Sequence, residues 1–321
     1  MTNSQFLSTS SAKAIQNAAE QLKAGHLVAF PTETVYGLGA DATNENAVKR
    51  IYEVKGRPTN HPLIVHVSSV NGIDTWAQDI PDYARDLVSA YWPGPMTLIL
   101  KRKVIAQDFI TGGQNSVGIR IPSDPIALEL LTRFESLGGL GIAAPSANRF
   151  GCVSSTSTRD VLEEIGPYLE KGDLVLEGGR SEIGIESTII DCRNEMPAVL
   201  RPGAVTEEMI SIIQKTSATS KQNSLRVSGG LAKHYAPAAR ILINTEPING
   251  QAFLAMSGIE TPQGVHRVFS PTTVEEFAQN LYLAMRETDR LGIMELVIHT
   301  PRGEGLAEAI LDRVKKSAGG R

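Results

Sequence analysis

Four basic residues, Lys55, Arg57, Arg120 and Arg201, stand next to loops rich in hydroxyls and small residues. Lys55-Gly56-Arg57-Pro58 follows a helical stretch and precedes an apolar run. On a turn loosened by glycine and stiffened by proline, the two cations can point at one polyanion: arginine supplies a planar fork for phosphate oxygens, lysine a mobile point charge. Arg120 interrupts the apolar run VGIRIP, residues 117–122. A guanidinium there is costly unless it meets a carboxylate, either an internal Glu or Asp or one carried by a ligand. Residues 31–39 (PTETVYGLG) place Thr32, Glu33, Thr34 and Tyr36 on a turn beyond a buried strand. Residues 143–148 (AAPSAN) end another strand with small residues, the Ser146 hydroxyl and the Asn148 amide. Strand ends are where α/β sheets bind ligands, and small residues let backbone donors approach phosphate. Ser154, Ser155 and the pair Ser187–Thr188 add hydroxyls, and Arg201 closes a strand in LRPG.

Each motif also has a bland reading. Thr and Glu side chains can bond their own turn, a basic turn can be mere solvated surface, and His61 and His66 can be structural. No metal cage is expected, because neither histidine has a ligand partner at useful spacing. There is no GxxxxGK[ST], HExxH or GxSxG, which excludes a P-loop NTPase, a zincin and an α/β-hydrolase elbow. Gly37-x-Gly39-x-x-Ala42 loosely fits a dinucleotide fingerprint but lacks the acidic residue about 20 positions on. What remains is a set of cations and hydroxyls in an acidic chain. That combination suits a multiply charged small anion, with chemistry run by positioning and electrostatic stabilisation.

The elements that must hold these groups follow from periodicity. Helices are expected over 11–24, 44–54, 82–91 and 126–134, each with apolar residues on one face. Strands are expected over 26–30, 63–67, 96–100, 117–121, 140–144, 173–177, 187–191 and 198–201. Many strands with few helices predict a large, twisted, partly antiparallel sheet in an α/β domain over 1–214. Residues 215–223 (KTSATSKQN) carry no apolar side chain larger than alanine, so 215–238 reads as an interdomain linker, with Arg226, Lys233, His234 and Tyr235 among its glycines. Beyond it, strands over 241–243, 252–256, 268–269 and 294–298 alternate with helices over 274–288 and 306–315. This predicts a small Rossmann-like α/β domain with a parallel core over 239–321.

The chain has 321 residues, 41% apolar and 21% charged, with a net charge of −4. That balance argues against a polyanion-coating protein or a polybasic membrane binder. Two cysteines, Cys152 and Cys192, exclude a disulfide framework and a CxxC zinc site, and are expected to be reduced. With no apolar stretch near bilayer length and no signal-peptide pattern, a cytoplasmic location is expected.

Together PTETVYGLG, KGRP with HPLIVHV, WPGPMTL, VGIRIP, APSAN, ESTIID, LRPG and SGGLAKHYAP resemble the Sua5/YrdC/YwlC family in its two-domain form. The resemblance spans roughly 15–210 as the YrdC-like part, then the linker and a Sua5-type C-terminal domain. It implies condensation of L-threonine, bicarbonate and ATP to L-threonylcarbamoyladenylate, with pyrophosphate and water released. This is the first step of t6A formation at position 37 of tRNA. Mapped residue by residue, it implies Lys55 and Arg57 as the catalytic pair. ATP would be bound by these two with His61, Ser116, Ser146, Asn148, Ser154, Arg201 and Tyr235. Threonine would be bound by Thr32, Thr34, His66, Arg120, Ala144, Ser187 and Thr188. Mg²⁺ would arrive on the ATP phosphates, without protein ligands. A monomer is expected, with tRNA or the downstream t6A-transfer machinery as possible partners and no membrane. Two other readings stay open: an enzyme forming carbamoyl-adenylate, and a YrdC-like RNA-binding module.

Overall fold

The computed structural model describes residues 7–214, 225–227, 229 and 234–319. Of the expected linker 215–238, the stretches 215–224, 228 and 230–233 therefore lie outside the described residues.

Eleven strands make the first sheet: β1 (Leu7–Ser8), β2 (Val28–Phe30), β3 (Gly37–Asp41), β4 (Ile64–His66), β5 (Ala77–Gln78), β6 (Met96–Arg102), β7 (Ser116–Arg120), β8 (Ile142–Ala143), β9 (Leu174–Leu176), β10 (Thr188–Asp191) and β11 (Ala198–Arg201). Their order is β1-β9-β2-β3-β8-β4-β7-β6-β10-β11, with β5 on β6. Parallel pairs (β4 with β7, β6 with β10) are mixed with antiparallel ones (β2 with β3, β6 with β7). The expected mixed sheet is thus present. Most of its strands are buried on both sides, and helices cover the faces.

Helix Ala12–Lys23 buries Ile15, Ala18, Ala19 and Leu22 against Leu130, Leu131 and Phe134 of helix Pro125–Ser136. Burying side chains of this size contributes about 1.5–3 kcal/mol for each large aliphatic. Helix Glu45–Lys55 starts at Asn44, whose side chain accepts from the Asn46 and Ala47 amides, and stops at Gly56 in the left-handed region (φ 60°). That glycine turns the chain sharply. It leaves Lys55 in the last helical turn and Arg57 just outside it, so the local signal ending the helix also aims the basic pair.

One expectation needs correction. Residues 31–39 are not all turn: β3 begins at Gly37 and pairs antiparallel with β2, so PTETVY is a hairpin loop. Gly39 sits in this strand because a Cβ there would lie 2.7 Å from Ile142 Cγ2 and 2.9 Å from Phe30. The sequence GLGAD lacks the β-branched alternation that marks a strand, and its glycines serve close packing rather than a nucleotide fingerprint.

A second sheet holds β12 (Arg240–Ile243), β13 (Ala252–Leu254), β14 (His266–Phe269) and β15 (Glu295–Ile298), in the order β12-β15-β13-β14. All its pairings are parallel, as expected. Helices Val274–Arg290 and Leu306–Ala318 pack on it through Phe277, Leu281, Met285, Ile310 and Val314. The same helices face the first domain. Arg290 reaches Asp160 (2.6 Å) and Glu163 (2.7 Å), and Arg286 donates to the Val153 carbonyl and to Glu164 (3.3 Å). Among the described residues no helix is long and apolar enough to cross a membrane.

Candidate active site

A recess opens where the β2–β3 hairpin loop, the ends of β4 and β7, the 144–146 loop and the start of β10 converge. Its wall includes Thr32, Thr34, His66, Arg120, Ala144, Ser146, Ser187, Arg57 and Arg201, and the linker residues Gly229, His234 and Tyr235 close it. Nine residues expected from the sequence are thus brought together, with Tyr235 as a tenth.

Arg120 is nearly fully buried at the end of β7. Its Nη1 donates to Thr34 Oγ1 (2.9 Å), and its Nη2 lies 2.7 Å from Glu33 Oε1, an ion pair too bent to count as a hydrogen bond. The sequence left two partners open for this guanidinium, and Glu33 is the internal one. Arg120 Nε has no hydrogen-bond partner among the described residues. Thr32 Oγ1 donates to the Val35 carbonyl (2.6 Å) and meets Thr34 Oγ1 at 2.9 Å, which rigidifies the loop.

Arg57 Nη2 donates to the Pro62 carbonyl (2.9 Å), and the guanidinium lies 5.8 Å from the Phe150 ring. Burial pulls its pKa down to about 10, with Tyr52, Tyr235 and Arg201 as smaller influences. On β11, Arg201 donates from Nε to the Ser187 carbonyl (3.0 Å) and from Nη2 to Ser187 Oγ (3.1 Å). Ser187 Oγ also meets Thr97 Oγ1 at 2.8 Å. His66 is buried and lowered to about 3, by desolvation first and Arg120 second. At neutral pH it is a neutral ring and a weak base, suited to lining a wall rather than to taking a proton.

Other expected residues are near the recess but turned to other tasks. The Lys55 ammonium is 2% exposed and donates to the carbonyls of Ser146 and Asn148, which locks the APSAN loop onto the end of its helix. Burial, then Arg57, holds its pKa well below the usual lysine value. Lys55 thus ties the loop to its helix and is not among the residues lining the recess. Asn148 Nδ2 donates to the Arg149 (2.7 Å) and Cys152 (2.8 Å) carbonyls. Thr188 Oγ1 donates to the Val205 carbonyl (2.7 Å) and accepts from its amide, so of the expected hydroxyl pair only Ser187 faces the recess. Ser154 Oγ donates to Glu186 Oε1 (2.6 Å). Ser116 lines a separate small cleft with Ile64, Gln114 and Arg226, and His61 packs edge-on against Phe150 at 5.3 Å. The reason is common to all six: motif spacing fixes a residue's neighbourhood, while backbone direction fixes where its side chain goes.

Glu186 was not expected. It lines the recess, accepts from Ser154, and is tied from the other domain by Tyr282 Oη (2.9 Å) and Arg313 Nε (2.8 Å). Burial alone would raise its carboxyl, but Arg313, then Arg201 and Ser154, pull it down to about 2. Only its neighbours Ser187 and Thr188 in ESTIID hinted at a site. From Phe150 an aromatic series runs through His234 (6.0 Å) and Tyr235 (4.1 Å) to Tyr282 (5.5 Å), joining the first domain, linker and second domain. Tyr235 holds φ 60°, a left-handed conformation that costs a non-glycine residue about 1 kcal/mol or more. Among the described residues no cluster of three or more His, Cys, Asp or Glu could cage a metal ion.

A family model described as telomere recombination, for the Sua5, YciO and YrdC group, matches residues 20–203. A second, described as threonylcarbamoyl-AMP synthase, C-terminal domain, matches 205–319. Threonylcarbamoyl-AMP synthase of Pyrococcus abyssi is 37% identical over 96% of this chain and 94% of its own length. That of Bacillus subtilis is 36% identical over 96% and 93%. A crystal structure of P. abyssi Sua5 complexed with L-threonine superposes with a TM-score of 0.86 at 36% identity, covering 96% of this chain and 95% of that one. With two models matched in order and full-length relatives of this similarity, the chain belongs to the Sua5/YrdC family, in its two-domain threonylcarbamoyl-AMP synthase form.

Proposed function

We propose that this chain condenses L-threonine, bicarbonate and ATP into L-threonylcarbamoyladenylate, releasing pyrophosphate and water, as a cytoplasmic monomer. The adenylate is the activated precursor of t6A at tRNA position 37, so a transfer machinery or the tRNA itself would consume it. The observation carrying this reading is the convergence of Arg57, Arg120 and Arg201 on one recess. Three guanidiniums with a neutral histidine and hydroxyls suit two anionic substrates, an amino acid and a nucleoside triphosphate.

In this reading Arg120 and the Thr34 hydroxyl hold the threonine carboxylate, with Thr32, His66 and Ala144 as neighbouring wall. Arg57 and Arg201 take phosphate oxygens, and Ser146 and Ser187 add polar contacts. The threonine amine, as the free base, attacks bicarbonate or the carbon dioxide formed from it; the C–N bond forms, bicarbonate's C–OH bond breaks, and that hydroxide takes the amine proton and leaves as water, giving a carbamate. A carbamate oxygen then attacks the α-phosphorus and pyrophosphate leaves. Arg57 and Arg201 stabilise the charge that grows on the leaving oxygens. Mg²⁺ would enter on the triphosphate, beside the phosphate oxygens that Arg57 and Arg201 take. Bound there, it would neutralise charge on the phosphate oxygens. The roof of His234 and Tyr235 keeps water from the labile carbamate and mixed anhydride.

The test is pyrophosphate release from ATP with threonine and bicarbonate omitted in turn, and mass analysis of the nucleotide product. Release that needs both, with an adenylate heavier than AMP by the threonylcarbamoyl group, is expected. Release without threonine would point to another acyl acceptor, and a folded chain with no release would sink the synthase reading.

A further inference from the structure

The C-terminal domain reaches the recess wall through Arg313 and Tyr282, which both donate to Glu186 Oε2. Arg313, in helix Leu306–Ala318, is 0% exposed, and its Nε donates to Glu186 Oε2 at 2.8 Å. Its Nη2 donates to the Pro202 carbonyl (2.9 Å), its Nη1 to Asp312 (2.6 Å), and its guanidinium lies 5.6 Å from the Tyr235 ring. It therefore touches three parts of the recess at once: the carboxylate in its wall, the loop after Arg201, and the linker residue that roofs it. A buried carboxylate beside a site for anions would repel them and would itself be costly without a counter-ion.

We propose that Arg313 is a positioning residue of this site: it fixes the Glu186 carboxylate and cancels its charge, so that the recess accepts anionic substrates. On this account the second domain supplies the counter-ion that completes the recess, and Tyr282, donating to the same oxygen at 2.9 Å, sets the carboxylate's direction. The inference rests on the synthase reading for its substrates, and on the geometry alone for the pairing.

Charge rescue in the full-length chain tests it. Pyrophosphate release is compared for the parent, Arg313→Met, Glu186→Gln and the double variant. Arg313→Met should lose about a hundredfold or more in kcat/KM, because it strands a buried carboxylate in the wall. Glu186→Gln keeps the shape and removes the charge, so the double variant should return to within about tenfold of Glu186→Gln alone. A double variant as slow as Arg313→Met overturns the proposal, since a purely adhesive Arg313 gains nothing from a neutral partner. If Arg313→Met does not fold, folding becomes the readout: the double variant should fold, and its failure to do so counts against the proposal. Tyr282→Phe, which leaves the charges balanced, should cost less than about tenfold, and a loss matching that of Arg313→Met would show that charge is not what matters. Should the parent release no pyrophosphate, the synthase reading fails separately. The same four proteins are then ranked by calorimetric affinity for Mg–ATP, with the same expected order.

Discussion

Acid should destabilise this protein well before its carboxylates titrate, and two histidines set the size of the effect. His66 and His234 are buried (4% and 6% exposed) and both are lowered to about 3. For His66 the causes are burial, then Arg120; for His234 burial comes first, Glu186 opposes it, and Lys55, Arg57 and Arg201 add to it. A base whose folded pKa lies below its unfolded value binds fewer protons folded than unfolded. Its stability contribution is therefore complete above the unfolded pKa of about 6.5 and shrinks as pH falls towards the folded value. From pH 7.5 to 5.5 each histidine costs on the order of 1 kcal/mol, and the two together on the order of 3 kcal/mol, a sizeable part of a stability of about 5–15 kcal/mol. The result is insensitive to the folded value so long as it stays below about 4.5. Glu186, Asp160 and Asp173 are held low and act only in stronger acid. The assay is urea unfolding at pH 7.5, 6.5 and 5.5 and constant ionic strength, followed by the fluorescence of Trp76 and Trp92. His66→Gln should remove about half of the pH-dependent loss. A parent that loses less than about 0.5 kcal/mol over this range, or a variant with the full parental loss, would refute the claim that these rings are buried neutral.

Arg57→Ala should cut kcat/KM by about 10² to 10³, the loss of about 2–4 kcal/mol of charge stabilisation; near-parental pyrophosphate release would make Arg57 a mere turn residue. Lys55→Met should lower stability by about 2–4 kcal/mol, because the Ser146 and Asn148 carbonyls lose a charged donor. Parental stability with a raised KM for ATP would mean instead that the ammonium serves phosphate directly. Gly229→Ala puts a Cβ 2.1 Å from the Tyr235 hydroxyl and 3.2 Å from Arg201 Nη1, at a φ of +73°. Displacement of the roof should then appear as faster proteolysis within 215–238 and a higher KM for ATP, whereas an unchanged KM would show that the docked roof is not needed for binding.

How far the sequence could be read depended on which physical signal each element carries. Helix Asp82–Tyr91 and strand Ala198–Arg201 sit where periodicity predicts them. β3 was hidden because Gly39 stands where a Cβ would come within 2.7 Å of Ile142, a contact no local pattern encodes. Short helices such as Thr158–Glu164 were missed because seven residues give too few turns for a 3.6-residue period. The recess was legible as a set of motifs, but the division of labour inside it was not. Lys55 and Arg57 stand two apart, yet the left-handed Gly56 sends one into the loop's carbonyls and the other to the recess wall. Glu186 could not be assigned at all, because its partners Tyr282 and Arg313 lie 96 and 127 residues further along the chain.

Those long-range partners explain how a chain of net charge −4 keeps a recess for anions. Glu186 in the recess wall and Glu33, between the wall residues Thr32 and Thr34, are each met by an arginine: Glu33 by Arg120 within the first domain, Glu186 by Arg313 across the domain boundary. The hydrogen bonds that orient Arg57 and Arg201 include those to the Pro62 carbonyl and to the carbonyl and hydroxyl of Ser187. Burial of these two groups opposes their ionisation, which is why both pKa values lie below the usual arginine range. A bound polyanion reverses that cost, so nucleotide should stabilise the folded chain by more than its contact area implies.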